Sequence, residues 1–127
     1  MAILVLEDEF LIALAAEDVL RDAGARRIGL AKTIAEAHEL LCTRFDAAIL
    51  DVRVPDGYSY GLAEALCSQK VGVTFHSGHT DYADAERFPK AVFCPKPSPP
   101  DQLVSSVLTS LARVRSWLNS LPSRSQR

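Results

Sequence analysis

An α/β fold built on a mostly parallel sheet is predicted by three observations. Short, continuous apolar runs recur along the chain, as in strands buried on both faces. Segments with apolar residues at helical spacing lie between them. Strand and helix alternate five times, the pattern of a parallel sheet with helices on both faces.

Each element has its own warrant. Ala2 to Leu6 is a partly β-branched apolar run and reads as the first strand. In "FLIALAAEDVLRDAG", Ile12, Ala16, Val19, Leu20 and Ala23 recur at helical spacing, and Gly24 stands where a glycine ends a helix. Arg27 to Ala31 is a shorter strand. Thr33-Ile-Ala-Glu36 is a capping box opening a helix to about Thr43. Ala47 to Val52 is the third strand, followed by a helix from about Ser59 to Ser68 and a strand from Val71 to His76. "TDYADAERF" predicts a short, weak helix, and "AVFC" a short strand. Ser98-Pro-Pro-Asp101 is a second capping box with Pro99 at the first helical position. The last helix then carries an apolar stripe of Leu103, Val107, Leu108, Leu111, Val114 and Leu118, stops before Pro122, and leaves residues 122–127 as a disordered tail.

The 127 residues suffice for one domain with a real core, set at 1–121. A hydrophobic share of 48% with 24% charged residues is ordinary for a globular protein. The net charge of −2 argues against nucleic acid, and Arg113, Arg115, Arg124 and Arg127 are too dispersed to form a basic patch. Cys42, Cys67 and Cys94 are odd in number and widely spaced, so they read as small buried hydrophobes in a reducing cytoplasm rather than as disulfides or zinc ligands. No apolar run reaches membrane-spanning length, and "MAILVLEDE" lacks the basic start of a signal peptide.

The polar residues gather at strand ends. The first strand ends in Glu7-Asp8-Glu9, the third in Asp51, the fourth in His76-Ser77-Gly78-His79 and the fifth in Pro95-Lys96-Pro97. A parallel sheet brings all four to one edge, where open α/β folds bind ligands. Two carboxylates ~4 Å apart cost about 4 kcal/mol at an effective dielectric of ~20. Glu7, Asp8 and Asp51 together therefore call for a cation or a shifted pKa. Hard oxygen ligands suit Mg²⁺. With Lys96 and Ser77 beside them, they suit a phosphoryl group, with a carboxylate as nucleophile.

In "LVLEDE", "AAILDVRVPDG", "VTFHSGH" and "FCPKP", taken in that order, the sequence resembles the receiver domain of bacterial two-component response regulators over about Ala2 to Leu121. The resemblance implies a doubly wound, flavodoxin-like five-stranded sheet of order 2-1-3-4-5. It implies that Asp51 is the phosphoacceptor, that Glu7, Asp8, Asp51 and the Arg53 backbone carbonyl hold Mg²⁺, and that Ser77 and Lys96 hold the phosphoryl oxygens. Phe93 takes the family's aromatic switch position, Ser77 moves with it, and the Lys96–Pro97 bond is cis. The implied donor is a sensor histidine kinase or a histidine phosphotransfer protein. The implied output is contact with a downstream protein by a stand-alone monomer or weak dimer, with no catalysis beyond self-phosphorylation and autodephosphorylation.

Four departures matter. Glu7 stands where Asp is commoner. The interval from Ser77 to Lys96 is short, so the fourth helix is expected to be stunted. Pro95 removes a strand donor, which an edge strand tolerates. Phe93 lacks the hydroxyl of a Tyr. Arg53 and His79 are expected to rim the site and tune the lifetime of the phosphoryl group. His76 and His79 have no third ligand near in sequence and are not read as a metal pair, while His38 is expected on an exposed helix face and Trp117 in packing or a partner contact. The alternatives are a degenerate receiver serving only as an interaction module, a piece of a larger hybrid kinase, and a haloacid-dehalogenase-type phosphatase. That last class places its nucleophilic Asp first in the chain with a second acid two residues on, where this chain has Arg53.

Overall fold

The computed structural model describes residues 1–78 and 86–120. In chain order the elements are β1 (Ala2–Leu6), α1 (Phe10–Asp22), β2 (Arg27–Ala31), α2 (Ile34–Leu40), β3 (Ala47–Leu50), β4 (Arg53–Val54), β5 (Gly57–Tyr58), α3 (Tyr60–Ser68), β6 (Gly72–Ser77), β7 (Val92–Pro95) and α4 (Pro100–Ser120). Five strands form a parallel sheet of order β2-β1-β3-β6-β7. This is the predicted order 2-1-3-4-5, because β4 and β5 form a separate antiparallel hairpin. Two strands of two residues each leave no periodicity in the sequence. The third sheet strand accordingly ends at Leu50 rather than Val52.

The central strands are buried on both faces, and alternate residues feed two cores. Leu4, Leu6, Leu50, Val73 and Phe75 pack with Ala37 of α2 and Leu62 and Leu66 of α3. Ile3, Val5, Ile49 and Cys94 pack with Ala16 and Leu20 of α1 and Leu103 and Val107 of α4. Fully burying such side chains contributes about 1.5–3 kcal/mol each, so the strands are held by both helical layers.

Helix ends follow local chemistry. At the end of α1, Gly24 (φ +103°) takes the left-handed conformation. Its N–H donates to Arg21 O and that of Ala25 to Leu20 O, a Schellman closure. The Thr33 hydroxyl accepts from Glu36 N, as the first capping box predicts. α2 then stops at Leu40, three residues before the expected Thr43. At α4 the second capping box needs correction. Pro100, not Pro99, is the first helical residue, and the Ser98 hydroxyl lies 3.2 Å from His76 Nε2. The stripe also differs, since Leu108 and Leu118 are exposed while Ser106 and Ser110 face inward. Gly72 explains this: a Cβ there would lie 2.8 Å from Ser110 Oγ and 3.0 Å from the Ser110 carbonyl carbon. The helix rides too close to β6 for a large residue at that point.

Of the stunted helix expected in "TDYADAERF", residues 80–85 lie outside the described residues, as does His79; the Pro122 stop and the tail also fall outside. Cys94 is buried and Cys67 half-buried, but Cys42 is exposed, contrary to expectation, because it follows the early end of α2. His38 is exposed as expected. Among the described residues no helix is long and apolar enough to cross a membrane.

Candidate functional site

Register builds the site. Leu6 pairs with Leu50, and Leu50 with Phe75, so Glu7 and Asp51 leave the sheet as neighbours. The Asp51 N–H donates to Leu6 O at 3.0 Å, and that of Glu7 to Ala31 O at 2.9 Å. On the other flank Ser77 pairs with Pro95, and Lys96 N donates to Ser77 O at 3.0 Å. Pro95 lies on β7, an edge strand, as its missing donor requires. The Lys96–Pro97 bond is cis, as the resemblance implies.

Carboxylate oxygens of Glu7, Asp8 and Asp51 lie within 4.8 Å of one another. Lys96 Nζ donates to Glu7 Oε2 at 2.7 Å and to Asp51 Oδ2 at 3.0 Å. Glu7 is only 4% exposed, and its second oxygen, Oε1, is buried with no partner among the described residues. Burial pushes the Glu7 carboxyl up to about 7; Asp51 pushes it further and Lys96 opposes. Burial pulls the Lys96 ammonium down, but its hydrogen bonds to Glu7 and Asp51 prevail and hold it above its usual range. One ammonium thus faces three carboxyl groups. The donors are all hard oxygens, one of them orphaned, and that set fits a small divalent cation.

The other predicted residues sit around this cluster. Ser77 is buried at the end of β6, and Arg53 is exposed at the start of β4. Phe93 is half-buried on β7, its ring stacked 5.2 Å from that of Phe75. His76 is buried beside Ser98; desolvation and then Lys96 hold its pKa low, with Asp51 opposing.

Two positioning residues escaped the sequence reading. The fully buried Ser59 donates its hydroxyl to Asp51 O at 2.7 Å, and its N–H donates to Val52 O. It fastens the loop that carries Asp51. Asp56, in the Pro-Asp-Gly turn, accepts from Ile34 N at 2.8 Å and Ala35 N at 3.1 Å, so the hairpin caps α2. These hydrogen bonds, Ile34 N first, hold the Asp56 carboxyl below its usual range. The Asp-Gly pair signalled a turn, but nothing local signals that its carboxylate reaches a helix over twenty residues upstream.

Three solved structures frame this geometry. SdrG from Sphingomonas melonis Fr1 is 33% identical, the match covering 87% of this chain and 96% of that one, at a TM-score of 0.73. A response regulator receiver protein from Sinorhizobium medicae WSM419 is 26% identical over 89% of this chain and 96% of its own, at 0.80. The non-phosphorylated HemR receiver domain from Leptospira biflexa is 26% identical over 96% of each chain, at 0.75. No family model and no curated protein sequence matches the chain. With one third of residues identical to SdrG over nearly all of both chains, with receiver proteins superposing throughout, and with acids and lysine converging at one sheet edge, the chain belongs to the response regulator receiver domains.

Proposed function

We propose that this receiver accepts a phosphoryl group on Asp51 from a sensor histidine kinase or histidine phosphotransfer protein, and signals by contact with a downstream protein. The observation that carries the reading is the Lys96 ammonium bound to both Glu7 and Asp51 beside an orphaned Glu7 oxygen. Glu7, Asp8, Asp51 and the Arg53 backbone carbonyl would hold Mg²⁺. When bound, the ion supplies positive charge to phosphoryl oxygens. An Asp51 carboxylate oxygen forms a P–O bond as the P–N bond of the donor phosphohistidine breaks, and the imidazole takes up a proton. Lys96 then neutralises phosphoryl oxygens, and the Ser77 hydroxyl supplies a neutral donor. No turnover beyond self-phosphorylation and loss of the phosphoryl group to water is expected.

The test is incubation with acetyl phosphate and Mg²⁺ followed by intact mass. A gain of one phosphoryl group, absent in Asp51→Asn and in chelator, is the expected result. No gain in the native chain would overturn the reading in favour of a receiver that serves only as an interaction module.

A further inference from the structure

At the end of α3 away from Asp51's loop, a cavity of about 360 Å³ opens between the C-terminal ends of α3 and α4. Trp117 forms one wall, with the Lys70 ammonium 3.9 Å and the Lys90 ammonium 3.7 Å from its ring centroid. A single ammonium satisfies a ring's negative face. Two on one indole repel each other. Among the described residues neither lysine has an ion-pair partner. The one acid in the cavity wall, Glu64, is taken by Arg87, whose Nε donates to it at 2.9 Å. Desolvation and then the Lys70 charge hold the Lys90 pKa low, with Cys67 opposing.

The backbone supports the same reading. Lys70 is the one non-glycine residue with positive φ (66°) among the described residues. It stands just past α3, with its N–H on Cys67 O and that of Val71 on Leu66 O, the position where glycine is usual. A lysine there pays a conformational cost that glycine would not. The opposite wall includes Phe88, 5.3 Å from Phe75, which in turn stacks on Phe93. Two ring contacts, Phe88 to Phe75 and Phe75 to Phe93, thus link the cavity wall to Phe93.

We propose that this cavity docks an acidic segment of the downstream partner protein, two carboxylates bridging Lys70 and Lys90 while an apolar side chain fills the space against Phe88 and Trp117. The inference rests on the reading above that output runs through protein contact. Charge complementarity selects the occupant: the cavity offers surplus positive charge on a chain of net charge −2. An inorganic anion would leave the aromatic walls unfilled, and the chain's own tail carries Arg124 and Arg127, the wrong sign.

Trp117 is the only tryptophan and reports on the site directly. The probe is an acetylated, amidated Glu-Leu-Glu-Glu-Leu-Glu peptide, with its Gln-for-Glu analogue as control. Saturable change in Trp117 emission is expected with the Glu peptide, about tenfold weaker for the Gln analogue and weakened by salt. Lys70→Gly keeps the backbone at ease while removing the charge, so it should fold at least as well yet bind about tenfold more weakly, as should Lys90→Gln. Equal binding of both peptides, unchanged affinity in Lys70→Gly, or equal saturation by pyrophosphate would overturn the proposal. Acetyl phosphate labelling of the same samples separates the two readings. A chain that binds the Glu peptide through both lysines but takes no phosphate overturns the phosphoacceptor reading alone. A chain that takes phosphate and ignores the peptide overturns the docking site alone.

Discussion

Glu7 stores the most informative chemistry of any single residue. Burial pushes its carboxyl up to about 7 in the folded chain, against 4.5 for a free side chain. Below 4.5 both states hold the proton. Between 4.5 and 7 the unfolded chain releases it while the folded chain keeps it, so Glu7's contribution to metal-free stability is lost as pH rises through that window. Denaturant unfolding in chelator should show a stability loss between pH 5 and pH 8 that Glu7→Gln removes. Mg²⁺ favours the carboxylate, so calorimetry in buffers of different ionisation enthalpy should find protons released on binding at pH 6 and fewer at pH 8. Ser59→Ala should cost about 1–3 kcal/mol, because the truncation leaves the Asp51 carbonyl one partner short in a buried setting. It should also slow phosphorylation by acetyl phosphate. Arg53→Asn should shorten the phosphorylated lifetime, since the long side chain on the hairpin beside Asp51 can screen the acyl phosphate from water; quench-time mass measurement reads it. Acids and lysine at strand ends were legible because strand periodicity alone puts them on one edge. Ser59, Asp56 and the lysines on Trp117 were not, since each meets a partner that no local pattern names.

At the scale of elements, close approach decides more than hydrophobicity. Gly72→Ala would drive a Cβ against Ser110 Oγ and backbone atoms at 2.8–3.1 Å. Backbone cannot swing aside, so α4 must shift, at an expected cost of about 1–3 kcal/mol in urea unfolding with an unchanged m-value. The same contact explains why the stripe on α4 was misread. Periodicity selects leucines, whereas the geometry selects Ser106 and Ser110 where the helix meets the sheet. The strands and α1 were read to within a residue or two, because burial on both faces and a glycine stop are strong local signals. The β4–β5 hairpin was missed because its pairing covers only Arg53 with Tyr58 and Val54 with Gly57. That hairpin couples two neighbours through Asp56: Asp56→Ala should speed hydrogen exchange at Ile34 and Ala35, the amides it accepts from.

Across the whole molecule, one connected group of aromatic rings runs from Phe93 on β7 to Phe88 in the cavity wall. Tyr60 contacts Phe75 and Phe88 at 6.0 Å, and Phe75 contacts Phe88 and Phe93 at 5.3 and 5.2 Å. Phe93 is half-buried, its ring stacked on that of Phe75. A phosphoryl group on Asp51 adds roughly −1.5 to −2 charge beside Ser77 and Lys96. Hydrogen exchange with and without a phosphoryl mimic should therefore change chiefly across residues 77 to 96. A change limited to α1 and α2 would refute this route.

The exposed thiol of Cys42 bears on how any such experiment is run. Cys94 is shut inside the sheet, and burial raises the pKa of Cys67, so Cys42 is the thiol most open to an oxidant. In aerated buffer two molecules can join through it, and the product would run as a dimer on a sizing column whatever the state of Asp51. Self-association attributed to signalling should survive reductant and Cys42→Ser, and a band that vanishes with either belongs to storage chemistry.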